Sequence, residues 1–302
     1  MSVIGVDIGG TFIKAGVVDK AGNILSSIKV PTNSKQGKVE VIKTIIFAIE
    51  RLMPNYGMSK YGKSKSRISH IGIGVPGSVD TKKGVIIHSP NTPLSNVPLA
   101  KILQKKFRKK VILENDANCF GIAEAKAGAG RRYNTVLCLT LGTGIGSALV
   151  VDGKLYKGKG GAPELGHTTI NINGPKCSCG SFGCVEEYVS SRGLLRIARH
   201  HGINANDPKD VFLAAKSSNK SAINAIKTFE EYGRLLGTAL ANFVDAFDPD
   251  IIVLGGQISK SWTYFNKSMT AEMKRRSFLS PCKVVPTKIE EAGVVGAGFI
   301  DS

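Results

Sequence analysis

The chain has 302 residues, 42% of them hydrophobic, which is enough for two domains of ordinary size. No apolar run reaches the length of a membrane span and no secretory signal opens the sequence, so we expect no membrane contact. The 41 Lys and Arg exceed the 23 Asp and Glu and give a net charge of +18, but no aromatic residues interleave with them as single-stranded nucleic-acid binding would require. We therefore expect no nucleic-acid partner and interpret the charge as that of an anion-using enzyme.

Residues 3–30 predict three strands, separated by turns at Gly9-Gly10 and at 20–23. Residues 38–52 have the spacing of an amphipathic helix, and a basic loop rich in Gly and Ser follows at 54–67. Further strands are predicted at 70–75, 83–87, 111–113, 135–141, 147–151, 251–254 and 283–286. Further helices are predicted at 99–107, 117–127, 187–201, 208–216, 220–247, 261–276 and 292–300. Two strand-rich halves, each opening on a glycine turn, indicate an α/β fold with a ligand cleft between the halves.

Two glycine-rich turns are candidates for phosphate binding, because glycine lets backbone N–H groups approach phosphate oxygens closely. The first is Asp7-Ile8-Gly9-Gly10-Thr11 and the second is Gly142-Thr143-Gly144-Ile145-Gly146. Asp7 is also a candidate for orienting hydrated Mg²⁺, and Lys14 follows on the next strand. Alone, the first turn is equally typical of an ordinary hairpin. The second is not a dinucleotide-binding fingerprint, because a strand follows it instead of a helix.

Two further glycine stretches are interpreted differently. Leu254-Gly255-Gly256-Gln257 follows a buried strand, and its glycines would let an adenine or ribose lie against the backbone; a plain strand-to-helix loop is the alternative. Residues 57–64 formally match the P-loop pattern G-x-x-x-x-G-K-S. A true P-loop follows a strand and opens a helix, whereas this stretch follows a predicted helix and leads into a strand. We therefore expect no phosphate site at 57–64.

A carboxylate for proton transfer is predicted where a strand meets a helix, at Glu114-Asn115-Asp116. Asp116 is placed to accept a hydroxyl proton as that hydroxyl attacks phosphorus. Asp116 also lies near the N-cap of the helix predicted at 117–127, so simple capping is the alternative. One residue can do both.

A compact zinc site is predicted between Pro163 and Glu187, because His167, Cys177, Cys179 and Cys184 supply one imidazole and three thiolates. Such a set completes a tetrahedral shell and indicates structural zinc. Disulfides or free core thiols are the alternative, but C-x-C-x4-C beside a histidine is too compact for a disulfide framework.

The remaining cysteines lie in apolar settings and are expected to be buried free thiols, which favours a reducing cytoplasm. They are Cys119, Cys138 and Cys282. Glu164 and Glu186 flank the zinc ligands, where fixed carboxylates can grip a polar substrate. We expect zinc to position this pocket, separate from the glycine turns at 7–11 and 142–146, which lie elsewhere in the chain. Loss of zinc should therefore affect the KM of the polar substrate more than nucleotide affinity.

Eight motifs follow one another along the chain and together resemble the ROK family (repressors, open reading frames and sugar kinases). They are DIGGT at 7–11, GVPG at 74–77, SPN at 89–91, END at 114–116, LTLGTGIG at 139–146, ELGH at 164–167, CSCGSFGCVE at 177–186 and VLGGQIS at 253–259. Within the family the chain is most similar to archaeal broad-specificity ATP-dependent hexokinases. Leu165, Glu187 and Val189 depart from the residues usual in the family.

The resemblance implies an actin-like ATPase fold of two ribonuclease-H-like domains around a central cleft. We place the small N-terminal domain at 1–116 plus 290–302 and the larger C-terminal domain at 117–289. The cofactors implied are ATP, Mg²⁺ and structural Zn²⁺. By the same resemblance Asp116 is the general base. The sugar-contacting residues it implies are Gly77, Asn91, Asn115, Asp116, Glu164, His167 and Glu186.

The function implied is a cytoplasmic hexokinase that phosphorylates the 6-hydroxyl of an aldohexose and feeds glycolysis, acting as a homo-oligomer, expected to be a dimer. Glucose is the first substrate expected, followed by mannose, glucosamine and N-acetylglucosamine. An N-acetylmannosamine kinase and a sugar-sensing regulator without catalysis are the alternatives. A DNA-binding module is not apparent before Val3, which argues against the regulator.

Overall fold

The computed structural model describes residues 1–53, 68–218 and 220–300, so the formal P-loop match at 57–64 lies outside the described residues. In chain order, the strands are β1 (Ser2–Ile8), β2 (Phe12–Val18), β3 (Ile24–Pro31), β4 (Ile68–Val75), β5 (Ser78–Asp80), β6 (Val85–His88), β7 (Lys110–Asn115), β8 (Thr135–Leu141), β9 (Ile145–Val151), β10 (Lys154–Leu155), β11 (Ile251–Gly255) and β12 (Lys283–Pro286). The α-helices are α1 (Lys38–Leu52), α2 (Leu99–Phe107), α3 (Asp116–Ala127), α4 (Val185–Val189), α5 (Ser191–His200), α6 (Pro208–Lys216), α7 (Lys220–Phe247), α8 (Trp262–Arg276) and α9 (Ala292–Gly298).

Two five-stranded sheets carry the fold, in the orders β3-β2-β1-β4-β7 and β10-β9-β8-β11-β12. In the first, β1 pairs antiparallel with β2 and parallel with β4. In the second, β8 pairs antiparallel with β9 and parallel with β11. Each sheet therefore contains a hairpin, whose two strands are joined by a glycine turn, and parallel strands that are connected through helices. This is the duplicated α/β plan that the sequence predicts.

Each sheet packs its own hydrophobic core. In the first, Ile4, Val6 and Ile8 of β1 are buried with residues of α1 and α2. The second core packs α7 and α8 together, with Phe229 and Phe265 fully buried. A buried Phe contributes about 1.5–3 kcal/mol relative to an exposed one, so these helices hold the second sheet firmly. No helix in the described ranges is long and apolar enough to cross a membrane.

The chain divides into two compact units: Met1–Arg132 with Gly153–Leu155 and Lys288–Ser302, and Tyr133–Asp152 with Tyr156–Thr287. The first unit includes α3, whereas we placed the boundary before that helix, at 116. Helix α9 joins α3 to the sheet at very close range. A Cβ on Gly72 of β4 would lie 1.7 Å from the carbonyl oxygen of Ala297, and one on Gly296 would lie 1.7 Å from that of Cys119 in α3.

One predicted element is divided in the structure, and another gains a partner strand that the sequence does not predict. The helix predicted at 187–201 is two helices, α4 and α5, because Ser190 adopts an extended conformation between them and its hydroxyl accepts a hydrogen bond from Gly193 N. The strand predicted at 83–87 is the second half of a small β5–β6 hairpin. Neither the break at Ser190 nor the pairing of β5 with β6 leaves a signal in the hydrophobic periodicity.

Candidate functional site

The first glycine turn, 7–11, joins β1 to β2 and is held in place by Thr32, the residue that follows β3. Gly9 N donates to Phe12 O at 2.9 Å, and the Thr32 hydroxyl donates to Gly9 O at 2.6 Å. A Cβ on Gly10 would lie 3.1 Å from Cβ of Asn91, so two of the predicted site residues are neighbours in the first unit. The turn is therefore fixed by contacts distant in sequence.

Asp7 lies in this turn beside two charged side chains. Its register partner on β2 is Lys14, whose Nζ is 2.8 Å from Glu291 Oε2. Burial raises the pKa of Asp7 to about 6; the charge of Lys14 opposes this rise and that of Glu291 adds to it. Gly293 makes room for the carboxylate, because a Cβ there would lie 2.7 Å from Asp7 Oδ2.

The chemistry of this turn fits a hydrated Mg²⁺ ion. Mg²⁺ takes oxygen ligands, keeps several waters and is usually bound through one or two carboxylates together with substrate phosphates. Asp7 supplies such a carboxylate beside backbone groups of a glycine turn. Lys14 is predicted to face phosphate, but its ammonium group is already paired with Glu291, which the sequence does not single out.

At the junction of β7 and α3, the residue that caps the helix is not the residue whose carboxylate is predicted to be catalytic. Asn115, and not Asp116, is the N-cap of α3, because its Oδ1 accepts from Ala117 N at 2.9 Å and from Asn118 N at 3.1 Å. Asn115 Nδ2 donates to Gly77 O at 3.1 Å, which joins two more predicted site residues. Asp116 is the first residue of α3, and its Oδ1 accepts from Ala117 N at 2.9 Å.

Glu114 organises the same junction from within the core. Its side chain is buried, and Oε1 accepts from Asn115 N and from Asn118 Nδ2, each at 2.9 Å. A buried carboxylate is retained only where hydrogen bonds satisfy it. Glu114 therefore fixes the backbone immediately before Asp116, a function that its place in the END motif did not reveal.

The four predicted zinc ligands converge in the second unit. Their ligand atoms all lie within 4.8 Å of one another, with Cys177 Sγ 3.7 Å from His167 Nδ1 and Cys179 Sγ 3.7 Å from Cys184 Sγ. Ligands about 2.3 Å from a tetrahedral metal are themselves about 3.7 Å apart. The sulfur atoms are too far apart for a disulfide, and these cysteines are free thiols. The residues therefore fit zinc.

A second group of possible metal ligands lies at the end of α5, where His200 and His201 approach Glu231 of α7. His201 Nε2 is 2.8 Å from Glu231 Oε2, a distance that makes these two side chains a hydrogen-bonded pair. His200 is exposed. We assign no metal to this group, whose internal pairing already accounts for its geometry.

Glu164, His167 and Glu186 form one electrostatic group beside the zinc ligands. Burial raises the pKa of Glu164, the charge of His167 opposes the rise and that of Glu186 adds to it. Ser147 of β9 anchors this segment: its hydroxyl donates to Pro163 O at 2.8 Å and accepts from Leu165 N at 3.0 Å. The sequence brings these three residues together by motif alone, and it gives no signal for Ser147.

The second glycine turn, 142–146, is in contact with the segment that follows the zinc ligands. Glu186 Oε2 accepts from Ile145 N at 2.9 Å. Ser191 donates to Gly142 O through both its backbone N and its hydroxyl, at 2.8 Å and 2.9 Å. The separation we expected between the zinc segment and the phosphate turns therefore does not hold for this turn.

Gly256 lies at the base of the same turn. It has a φ of +84°, and a Cβ there would lie 2.3 Å from the carbonyl oxygen of Leu141, the residue before Gly142. The Ser259 hydroxyl donates to Gly256 O at 2.8 Å. The stretch predicted to face the nucleoside, Gly255-Gly256, thus packs directly behind the second glycine turn.

Residues 3–300 match the ROK family. The chain belongs to this family. The glucokinase of Thermotoga maritima is 34% identical, over 99% of this chain and 97% of its own length. A ROK hexokinase structure from Thermus thermophilus is 33% identical with a TM-score of 0.82, covering 99% of this chain and 97% of that one. A ROK family glucokinase from Streptomyces griseus, determined in complex with glucose and AMPPNP, is 31% identical with a TM-score of 0.80, covering 99% and 98%.

The predicted actin-like ATPase fold is confirmed by these ROK relatives and by the duplicated sheets. The predicted site residues of this ROK protein fall into two sets, one in each compact unit. The first unit holds Asp7, Gly9, Gly10, Thr11, Lys14, Gly77, Asn91, Asn115 and Asp116. The second unit holds Gly142, Thr143, Gly144, Glu164, His167, Cys177, Cys179, Cys184, Glu186, Gly255 and Gly256.

Proposed function

We propose that this ATP-dependent sugar kinase transfers the γ-phosphoryl group of ATP to the 6-hydroxyl of an aldohexose, with glucose as its first substrate. The observation that carries the proposal is the full-length match to a glucokinase, at 34% identity over 99% of the chain. The glucose and AMPPNP complex of the Streptomyces griseus relative supports the same substrate pair.

Asp116 is the proposed general base. Because Asn115 caps α3, the Asp116 carboxylate is not required for capping, and the Ala117 N–H at 2.9 Å holds its orientation. The carboxylate takes the proton of the attacking 6-hydroxyl as the bond to the γ-phosphorus forms and the bond to the β-phosphate oxygen breaks. Glu114 positions Asp116 through the preceding backbone.

The two glycine turns are the proposed phosphate contacts. Mg²⁺ bound here would neutralise charge on the phosphate oxygens. Asp7 would hold it in its ionised form, and the pKa of this carboxyl lies at about 6. The backbone N–H groups of turns 7–11 and 142–146 orient the phosphates, and Gly255-Gly256 lies against the nucleoside.

The sugar hydroxyls are the proposed ligands of Glu164, His167 and Glu186. His167, Cys177, Cys179 and Cys184 would hold zinc, and this ligation would fix the orientation of the His167 ring. Because Nδ1 faces Cys177, Nε2 is the nitrogen that meets a hydroxyl. Glu164 accepts hydrogen bonds from hydroxyl groups once ionised. We further propose a cytoplasmic location, which keeps thiols reduced. The expected homodimer stays a prediction.

A coupled assay with ATP and a panel of hexoses tests the reaction, and Asp116→Asn tests the base. We expect kcat to fall by about 10²–10⁴-fold while calorimetry still detects glucose binding. Asp152→Asn is the control, because Asp152 is an exposed turn residue with φ of +50°, a conformation that Asn tolerates. A D116N enzyme that keeps a quarter of the wild-type kcat would sink the assignment. Wild-type protein that binds glucose but phosphorylates no hexose would favour the regulator.

A further inference from the structure

The turn 142–145 is hydrogen-bonded at both ends to one short stretch of chain, residues 186–191. At its far end, Ile145 N–H donates to Glu186 of α4; at its near end, Gly142 O accepts two hydrogen bonds from Ser191, the first residue of α5. The residues that meet are 41 and 49 positions apart in sequence. The junction of α4 and α5 therefore fixes the position of the turn at both of its ends.

The internal hydrogen bonds of the turn determine which of its amides remain for a ligand. Gly142 N donates to Gly144 O at 3.1 Å, and Gly146 N donates to Thr140 Oγ1 at 3.2 Å. Within the described part of the chain, the N–H groups of Thr143 and Gly144 have no acceptor in the protein. Two adjacent unpaired amides on a glycine turn can both donate to one anion.

Gly144 lets the Glu186 carboxylate lie beside these amides. A Cβ on Gly144 would lie 2.5 Å from Glu186 Oε2, so a larger residue would displace the carboxylate from this position. The Ile145 N–H donates to Glu186 Oε2 at 2.9 Å, and this charge-assisted hydrogen bond holds the carboxylate against the backbone of the turn.

We propose that Glu186 and Ser191 form a clamp that positions the Thr143 and Gly144 amides for a nucleotide phosphate, with Ser191 as a positioning residue. The inference rests on the proposed function, because it takes turn 142–146 as a phosphate site. Glu186 lies two residues after the zinc ligand Cys184 and is also a proposed sugar contact. The clamp therefore connects the zinc segment to phosphate binding within one unit.

Ser191→Ala tests the clamp, since it removes one of the two hydrogen bonds to Gly142 O and leaves the backbone N–H in place. A hydrogen bond of ordinary strength corresponds to about three- to tenfold in an equilibrium constant. We expect the Kd of AMPPNP, measured by calorimetry, and the KM for ATP to rise by that factor, while the KM for glucose stays within about twofold. Ser191→Thr restores a hydroxyl and should recover nucleotide affinity.

Ser277→Ala is the matched control, because its hydroxyl also donates to a backbone carbonyl, Met273 O at 2.9 Å, at the end of α8. It should leave the Kd of AMPPNP unchanged. Equal AMPPNP affinity in S191A and wild type would overturn the clamp, whatever the change in Tm.

Two further results are informative about the clamp: the failure of S191A to fold, and the absence of sugar phosphorylation by the wild type. If S191A does not fold, Ser191→Cys must weaken AMPPNP binding, because a thiol is a weaker donor to Gly142 O than the hydroxyl; unchanged affinity in S191C overturns the clamp. If wild type binds AMPPNP but phosphorylates no sugar, and S191A weakens that binding, the clamp stands and the proposed reaction fails.

Discussion

Replacing Asp7 with Asn should stabilise the protein while it reduces activity. Burial raises the pKa of Asp7 to about 6 from an ordinary 3.8, so the folded state resists the ionisation that the unfolded chain allows. Each pH unit between these values is worth about 1.4 kcal/mol, and the ionised carboxylate therefore costs about 3 kcal/mol of stability. Asn keeps the shape and cannot ionise.

The sign of the effect follows from the raised pKa. Below about pH 4 Asp7 is protonated in both the folded and the unfolded state and does not reduce the stability of the fold. As the pH rises, the wild type loses stability, and this loss is complete above about pH 7. The Tm of Asp7→Asn should exceed that of wild type by about 5–10 °C at pH 8 and match it near pH 4. The same variant should phosphorylate sugar poorly, because it lacks the carboxylate proposed to hold hydrated Mg²⁺.

Thermal unfolding of both proteins from about pH 4 to pH 8, without nucleotide or Mg²⁺, measures this difference. Asp19→Asn is a control of opposite sign: the Asn23 side chain and neighbouring backbone N–H groups lower the pKa of Asp19, so its ionised form stabilises the fold. A Tm difference between D7N and wild type that does not change with pH would refute the reasoning.

Two other changes have definite expected outcomes. Cys179→Ser removes one of the four predicted zinc ligands, so the zinc content should fall below about one per chain and Tm should drop. The KM for both glucose and ATP should rise, because Glu186 contacts the second glycine turn; full zinc content with unchanged kinetics would contradict this. Lys63→Ala should leave the KM for ATP nearly unchanged, since the two glycine turns are the proposed phosphate contacts, and a large rise in that KM alone would restore the P-loop at 57–64 as a candidate.

Local patterns in the sequence predicted most of the secondary structure, because strand alternation, helical spacing and glycine turns depend on neighbouring residues. They failed where a single residue interrupts an element, as Ser190 does between α4 and α5. Side-chain spacing alone could not separate the capping residue from the carboxylate proposed to be catalytic. The hydrogen bonds of Asn115 at the start of α3 make that distinction.

The sequence by itself determined the family and the two glycine turns. It also predicted a zinc ligand set, since the three cysteines lie within eight residues and His167 is only ten residues before the first of them. Only the tertiary structure decided that Glu291 pairs with Lys14 beside Asp7, and that Glu186 and Ser191 grip the turn at 142–145. These contacts join residues tens to hundreds of positions apart. Hydrogen bonds and ion pairs of this kind depend on where strands and helices pack, and no local periodicity records that.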